Sequence, residues 1–279
     1  MTVVAPSALE DALEALAGNP DLAVLGGGTD FMVEVNYGHR RPAAVLSLHA
    51  VTELRTWANR GAEVFIGSGV TCATLEGEPF ASEVPALAQA ARTVGSPQIR
   101  SAATIGGNLG TASPAGDLLP VLSALDARVC CARVGSTRDV SIHDFLIGPK
   151  RNALETAEMI TGVLVPLFSG PQEFLKAGTR NAMVIAVANI ALVAGHDDVG
   201  RADIRVALGS VGPTIIRARS AETWFAETGF DPFAATEFGQ RVASEARPID
   251  DHRSTAEYRS HAIGVMAKRA VKRMYGAAA

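Results

Sequence analysis

The chain has 279 residues, a net charge of −4, a pI near 5.9 and 48% apolar residues. That length suits roughly two domains with a sizeable core. The acidic balance excludes a general nucleic-acid or anionic-membrane binder, which would carry a basic stripe. No run approaches the roughly 18 uninterrupted apolar residues of a membrane span. The start, "MTVVAPSALEDALEALAG", lacks the basic and apolar regions of a secretory signal. Three cysteines, Cys72, Cys130 and Cys131, form neither a disulfide framework nor a four-cysteine iron-sulfur set. The expectation is a soluble, cytoplasmic protein of a reducing compartment.

In chain order, "SALEDALEALAG" predicts a helix with Ser7 as N-cap and Gly18 at its end. "DLAVL" predicts a short buried strand that runs into "GGGTD" (Gly26 to Asp30), and "AAVLSL" predicts another. A subdomain break is expected near Ala58 to Gly61. "EVFIGSGVT" reads as a strand and "VPALAQAARTVG" as a helix. A second glycine loop follows in "TIGGNLGTASPAGD" (Thr104 to Asp117), then a helical "DLLPVLSAL" and strands in "ARVCCARV", "RDVSI" and "AEMITGVLVP". In the cysteine strand one of Cys130 and Cys131 should face the core. Pro166 to Pro171, with Gly170 between, predicts a linker. Beyond it, "QEFLKAG", "VIAVANIALVAG" and "DIRVALGSVG" read as strands, and three helices close the chain. The last carries a capping box, Ser254 answered by Glu257, and an apolar face of Ile263, Met266 and Ala270. There is no internal repeat and no low-complexity segment.

The two glycine segments carry the chemistry. Glycine admits positive φ and lets a ligand approach the backbone closely. Successive N–H groups then form an anion-binding concavity, best placed at a helix N-terminus. Tight turns use glycine in the same way, so either segment alone is ambiguous. "GGGTDF" lacks the G-x-G-x-x-G spacing, and no Gly-Lys-Ser/Thr follows it. Two such segments can hold the two phosphates of one dinucleotide from opposite sides without a lysine. The six histidines show no metal-ligand spacing, His143 in "SIHDF" reads as a turn or cap residue, and there is no G-x-S-x-G elbow.

"GGGTD", "IRSAATIGGNLGTASPAGDLLPVL", "KAGTR", "RVALGSVGPTIIRA" and "DDHRSTAEYRSHAIGVMAKRAV" occur in this order. Together they resemble the FAD-binding medium subunit of the molybdenum hydroxylase family, which includes carbon monoxide dehydrogenase and xanthine dehydrogenase. The resemblance implies an α+β fold: a PCMH-type FAD-binding domain over 1–168, in subdomains of about 1–58 and 59–168, and a C-terminal domain over 169–279 with a three-stranded antiparallel sheet and helices. It implies that Gly26, Gly27, Gly28 and Thr29 hold a pyrophosphate with Gly106, Gly107 and Asn108. Val24, Leu25 and Asp30 would flank the first loop; Thr104, Ile105, Thr111 and Ser113 would complete the second. Asp117 would accept hydrogen bonds from the adenosine half, its alternative being a charge at the N-terminus of "LLPVL". Ile160 would line the adenine pocket, its alternative being plain strand core. Lys176 would lie near the isoalloxazine ring and raise its potential, its alternative being a solvated strand lysine. Arg180 falls in the loop expected over the flavin, where Met183 and Val184 replace an aspartate common in the family.

The implied function is electron transfer. FAD, bound non-covalently, would take electrons from a small partner subunit with two [2Fe-2S] clusters and pass them to an external acceptor. A large molybdopterin subunit would oxidise the substrate, and the assembly would be a dimer of heterotrimers. No general base is expected on this chain. Two other classes stand beside this one: a self-contained PCMH-type flavin oxidase or dehydrogenase, often with FAD tethered to His or Cys, and a non-catalytic nucleotide-binding module. No histidine or cysteine stands inside either glycine loop, which disfavours a tether.

Overall fold

The computed structural model describes residues 2–196, 202–228 and 234–276. The chain first builds a parallel three-stranded sheet with Ala44–Ser47 between Thr2–Val4 and Ala23–Leu25. The helix Leu9–Gly18 packs Ala12 and Leu16 against Leu46 on one face, and Phe31 meets Val45 on the other. Ser7 is not the cap of that helix. Ala8 occupies the position, and the Leu9 N–H is satisfied at 3.0 Å by the Glu53 carboxylate. Glu53 lies on the 3-10 turn Thr52–Arg55, whose Leu54 shares the first sheet's core.

A five-stranded antiparallel sheet follows, ordered Trp57–Asn59, Glu63–Gly67, Met159–Pro166, Arg128–Arg133, Ser136–Ser141. The expected break at Ala58 to Gly61 therefore falls inside a hairpin, and the chain leaves the first sheet before Trp57. The cysteine strand alternates as expected: Cys131 is buried and Cys130 only partly so. Register shifts between Ile160 and Gly162, and the extra residue, Thr161, accepts the Ser68 N–H at 3.0 Å. A bulge of this kind bends its strand and re-aims side chains locally.

The third sheet is antiparallel, with Gln172–Ala177, Ala188–His196 and Ala202–Gly209 as expected. A fourth short strand, Ile216–Arg217, corrects the three-stranded expectation by pairing with Ala207 and Leu208. Along Ala188–His196, successive residues point to opposite faces. Ala191 and Val193 join a core with Leu87, Leu118 and Val163, while Ile190, Leu192 and Ala194 join a second core with Phe225, Phe238 and Ile263. The helices Pro85–Arg92 and Leu118–Ala124 thus lie between the two antiparallel sheets, and Arg219–Thr228, Ala235–Glu245 and Ala256–Gly276 cover the outer face. The last helix is capped by Thr255, not Ser254: Thr255 Oγ1 accepts the Tyr258 N–H at 3.2 Å. Ser254 is held one residue back by its backbone bridge to Asp251. No described helix is long and apolar enough to cross a membrane.

Candidate cofactor cleft

The first glycine segment joins the strand Ala23–Leu25 to the helix Phe31–Asn36. The N–H groups of Gly26, Gly27, Gly28 and Thr29 have no acceptor among the described residues. Only Gly28 has positive φ, +75°. Gly27 is needed for a different reason: a Cβ there would run into the Ala102 carbonyl, so two walls of the site meet backbone to backbone. Four successive amides without a protein acceptor leave N–H groups available to an anion.

The second segment is not a loop but a helix, Ile105–Thr111. Its first amides are already used: Ile105 by Val70 O at 3.0 Å, Gly106 by Ser68 O at 2.9 Å, Asn108 by Thr104 O at 3.0 Å. Gly107 is bound by the capping hydroxyl of Thr104 at 3.0 Å. The first segment thus leaves four successive amides free, while the second keeps the amides at its helix start paired. The second contributes the positive end of a short helix and the bare flank of Gly107, where a Cβ would meet only Thr104 Oγ1, at 3.1 Å. Asn108 adds a buried Oδ1 that has no partner. Gly106 makes room for protein rather than ligand, because a Cβ there would strike Ser68.

These elements border a cleft of about 1060 Å³, at the upper end of the roughly 300–1,000 Å³ of small-molecule sites. Val24, Gly26 to Asp30, Thr104, Gly106 to Asn108, Thr111, Ser113, Asp117, Ile160 and Lys176 all line it. Leu25 and Ile105 do not. Leu25 packs with Phe31, because strand alternation turns it away from Val24, and Ile105 is wholly buried on the core face of its helix. The bulge beside Thr161 leaves Ile160 on the cleft, 8% exposed. Sequence reasoning missed Ser68 to Thr71, Arg40, Lys150, His49 and Arg55. The signal for the first group was "GSGVT", a third glycine cluster hidden in a predicted strand.

Asp117 and Lys176 correct the expectation most. Lys176 Nζ donates to Asp117 Oδ2 at 2.5 Å and to Thr93 O at 3.2 Å, with the two side chains 9% and 6% exposed. Thr93 Oγ1 donates to the same oxygen, and Asn189 Nδ2 fills Oδ1 at 2.9 Å. Burial pushes the Asp117 carboxyl up, against the pull of Lys176, Asn189 and Thr93. One ion pair is one place, so these two residues cannot serve opposite halves of an extended dinucleotide. Nor is Lys176 a solvated lysine.

Arg180 folds back to donate to Ala182 O at 3.1 Å and to Met183 O. Met183 takes φ 52°, and Val184 and Ile185 reach the cleft in place of an acidic side chain. Cys72 also lines the cleft, but burial, reinforced by Asp117, pushes its thiol up to about 12. His49 Nδ1 is engaged by Arg55 at 2.9 Å. The charges of the lining balance: Arg40, Arg55, Lys150 and Lys176 against Asp30, Glu34, Asp117 and Glu158.

Comparison with known proteins identifies the family. The family described as the FAD binding domain in molybdopterin dehydrogenase matches residues 1–168, and the CO dehydrogenase flavoprotein C-terminal domain matches residues 173–274. The nicotinate dehydrogenase FAD-subunit of Eubacterium barkeri is 37% identical over 204 residues, 70% of this chain and 69% of that one. The xanthine dehydrogenase FAD-binding subunit of Escherichia coli O157:H7 is 30% identical over 278 residues, 97% of this chain and 94% of its own length. A solved carbon monoxide dehydrogenase from Hydrogenophaga pseudoflava superposes with a TM-score of 0.91 at 26% identity, covering 99% of this chain and 97% of that one. With both segments matched and both contributing to the cleft wall, this chain belongs to the family of FAD-binding subunits of the molybdopterin dehydrogenases, a family of oxidoreductases.

Proposed function

We propose that this chain is the subunit through which electrons leave a multi-subunit molybdenum hydroxylase, and that it works in the cytoplasm. The observation that carries the cofactor half is the run of unpaired amides from Gly26 to Thr29 beside the Thr104-capped helix. In a cleft of balanced charge these dipoles, rather than a lysine, would offset a pyrophosphate. Asn108 Oδ1 and the hydroxyls of Thr29 and Thr111 would take the polar groups beside it, and Ile160, Leu154 and Met159 would offer an apolar wall to adenine. Lys176, Val184 and Ile185 would border the ring. Bound FAD supplies the one- and two-electron chemistry that links [2Fe-2S] clusters to an external acceptor. The chain's part is to hold the group, neutralise its phosphates and shield it from water. Binding is non-covalent: the Cys72 thiol stays protonated and His49 is engaged by Arg55.

Residues 1–168 form the FAD-binding domain and 169–279 the C-terminal domain. The relatives support separate partner chains, since one of them is named a carbon monoxide dehydrogenase medium chain. The expected partners are a small [2Fe-2S] subunit and a large molybdopterin subunit, in a dimer of heterotrimers. Co-expression with the neighbouring reading frames tests the proposal. Iron, molybdenum and FAD should co-purify, with substrate oxidation only when all three chains are present. Robust oxidation of an organic substrate by the lone, metal-free chain would replace the proposal with the self-contained oxidase. Acid precipitation should release the flavin into the supernatant; flavin retained in the pellet would end the non-covalent reading.

A further inference from the structure

One charge pair joins the helix that follows the first glycine segment to a hairpin held against the second, glycine-bearing helix. Lys150 Nζ donates to Glu34 Oε1 at 2.8 Å. Among the described residues this is the only side-chain hydrogen bond or ion pair running from residues 2–51 to residues 57–168. Glu34 stands on the helix Phe31–Asn36, directly after the segment with the free amides. Lys150 stands at the turn of the hairpin Leu146–Gly148 and Arg151–Asn152, and both residues line the cleft.

Both ends of the pair are held in place. The Lys150 backbone, at φ 55°, donates to Ala112 O at 3.1 Å, and Ala112 is the left-handed C-cap of Ile105–Thr111. Asn152 Nδ2 ties the same hairpin to Gly110 O at 2.8 Å. On the other side, His39 and Arg40 donate their amides to Glu34 O at 2.9 and 3.1 Å, and the Arg40 guanidinium lies 4.5 Å from the Phe31 ring, 3.9 Å from Glu34 Oε2. The Lys150 hydrogen bond holds the Glu34 carboxyl below its ordinary value. Elsewhere these walls meet through bare backbone at Gly27 and Ala102 and through apolar packing.

We propose that the Glu34–Lys150 pair is a latch across the cleft, and that it sets how fast the dinucleotide leaves. The proposal rests on FAD occupying this cleft. Lys150 and Glu34 are positioning residues: they fix the spacing between the Gly26–Thr29 amides and the Ile105–Thr111 helix, without themselves being required for binding. With Lys150 61% and Glu34 31% exposed, solvent and salt screen the pair, so the effect is modest, roughly two- to five-fold in dissociation rate.

The test is the dissociation rate of FAD from the full chain, followed by flavin fluorescence on dilution at low and high salt. Lys150→Met and Glu34→Gln should each speed release roughly two- to five-fold at low salt and flatten its salt dependence. Lys150→Arg should return the rate close to wild type. A Lys150→Met rate equal to wild type, or a Lys150→Arg rate as fast as that of Lys150→Met, overturns the latch. Failure of the wild-type chain to bind FAD would sink the cofactor reading instead. The double-mutant cycle of Glu34→Gln and Lys150→Met on urea unfolding tests the pair apart from the cofactor: zero coupling refutes the latch even where FAD binds.

Discussion

Replacing Lys176 with Met keeps the bulk of the side chain and removes only its charge and hydrogen bonds. Asp117 is then left 6% exposed with two neutral donors, Thr93 and Asn189. Breaking a buried pair from one side costs roughly 3–5 kcal/mol. The carboxyl has an escape, which is to take up a proton. From an ordinary value of 3.8 that costs at most about 4 kcal/mol at pH 7, at about 1.4 kcal/mol per unit. The expected loss of stability at pH 7 is therefore about 3–4 kcal/mol. The sign with pH follows. In the variant, folded Asp117 holds a proton that the unfolded chain releases, so its folded value lies above its unfolded one. Acidification then restores stability, and the loss relative to wild type should shrink as pH falls from 7 until it reaches the wild-type carboxyl's own raised value. Adding Asp117→Asn should recover most of the deficit at pH 7. Urea unfolding followed by Trp57 and Trp224, which report on opposite halves of the chain, measures all of this. A loss below about 1 kcal/mol at pH 7 would mean that the carboxyl is already protonated beside its lysine. A loss that grows on acidification would mean that the charge being stranded is not Asp117.

Glycine substitutions should separate packing from binding. Gly107→Val should abolish FAD binding, as seen by equilibrium dialysis, with little change in thermal midpoint, because its side chain enters open cleft; Gly27→Ala should instead lower the midpoint by forcing Ala102 away. Arg259→Leu should cost roughly 3–5 kcal/mol in urea unfolding, since its buried guanidinium binds Val187 O, Ser210 O and Asp251 at 2.8, 3.0 and 2.6 Å. Arg138, through two 2.7 Å hydrogen bonds, holds Glu158 below its ordinary value. That stabilisation is present above the ordinary carboxylate range and is lost as pH falls through the lowered value, so Glu158→Gln should flatten the acid limb of the stability profile between about pH 5 and pH 3.

Strands and helices with clear apolar periodicity were legible from sequence, including all three long strands of the C-terminal sheet. Caps were less so. Ser7 and Ser254 have the right chemistry, but Glu53, 44 residues from Leu9, supplies the missing acceptor in one case, and a backbone bridge displaces the cap by one residue in the other. The glycines were found, yet their division of labour was not. Whether a glycine borders open cleft, as Gly107 does, or spares room for another stretch of chain, as Gly27 and Gly106 do, depends on what lies opposite. The same holds for Asp117 and Lys176, 59 residues apart and joined only once the third sheet docks on the Leu118–Ala124 helix. Lys150 and Glu34 sit 116 residues apart in segments without any motif.

The largest apolar cluster takes Leu87, Leu118 and Val163 from before the linker and Phe174, Ala191, Val193 and Ala207 from after it. A boundary that reads as a linker in the sequence is thus bridged by shared interior. The first 168 residues expressed alone would expose the apolar flanks of Pro85–Arg92 and Leu118–Ala124 and strand Asp117 without its lysine. The two family segments are therefore not interchangeable modules. Transplanting a C-terminal segment from a relative would have to match one continuous interior before any exchange of acceptor preference became visible. Because Lys176, Val184 and Ile185 complete the cleft wall, a molecule filling that cleft would also fasten the two halves together.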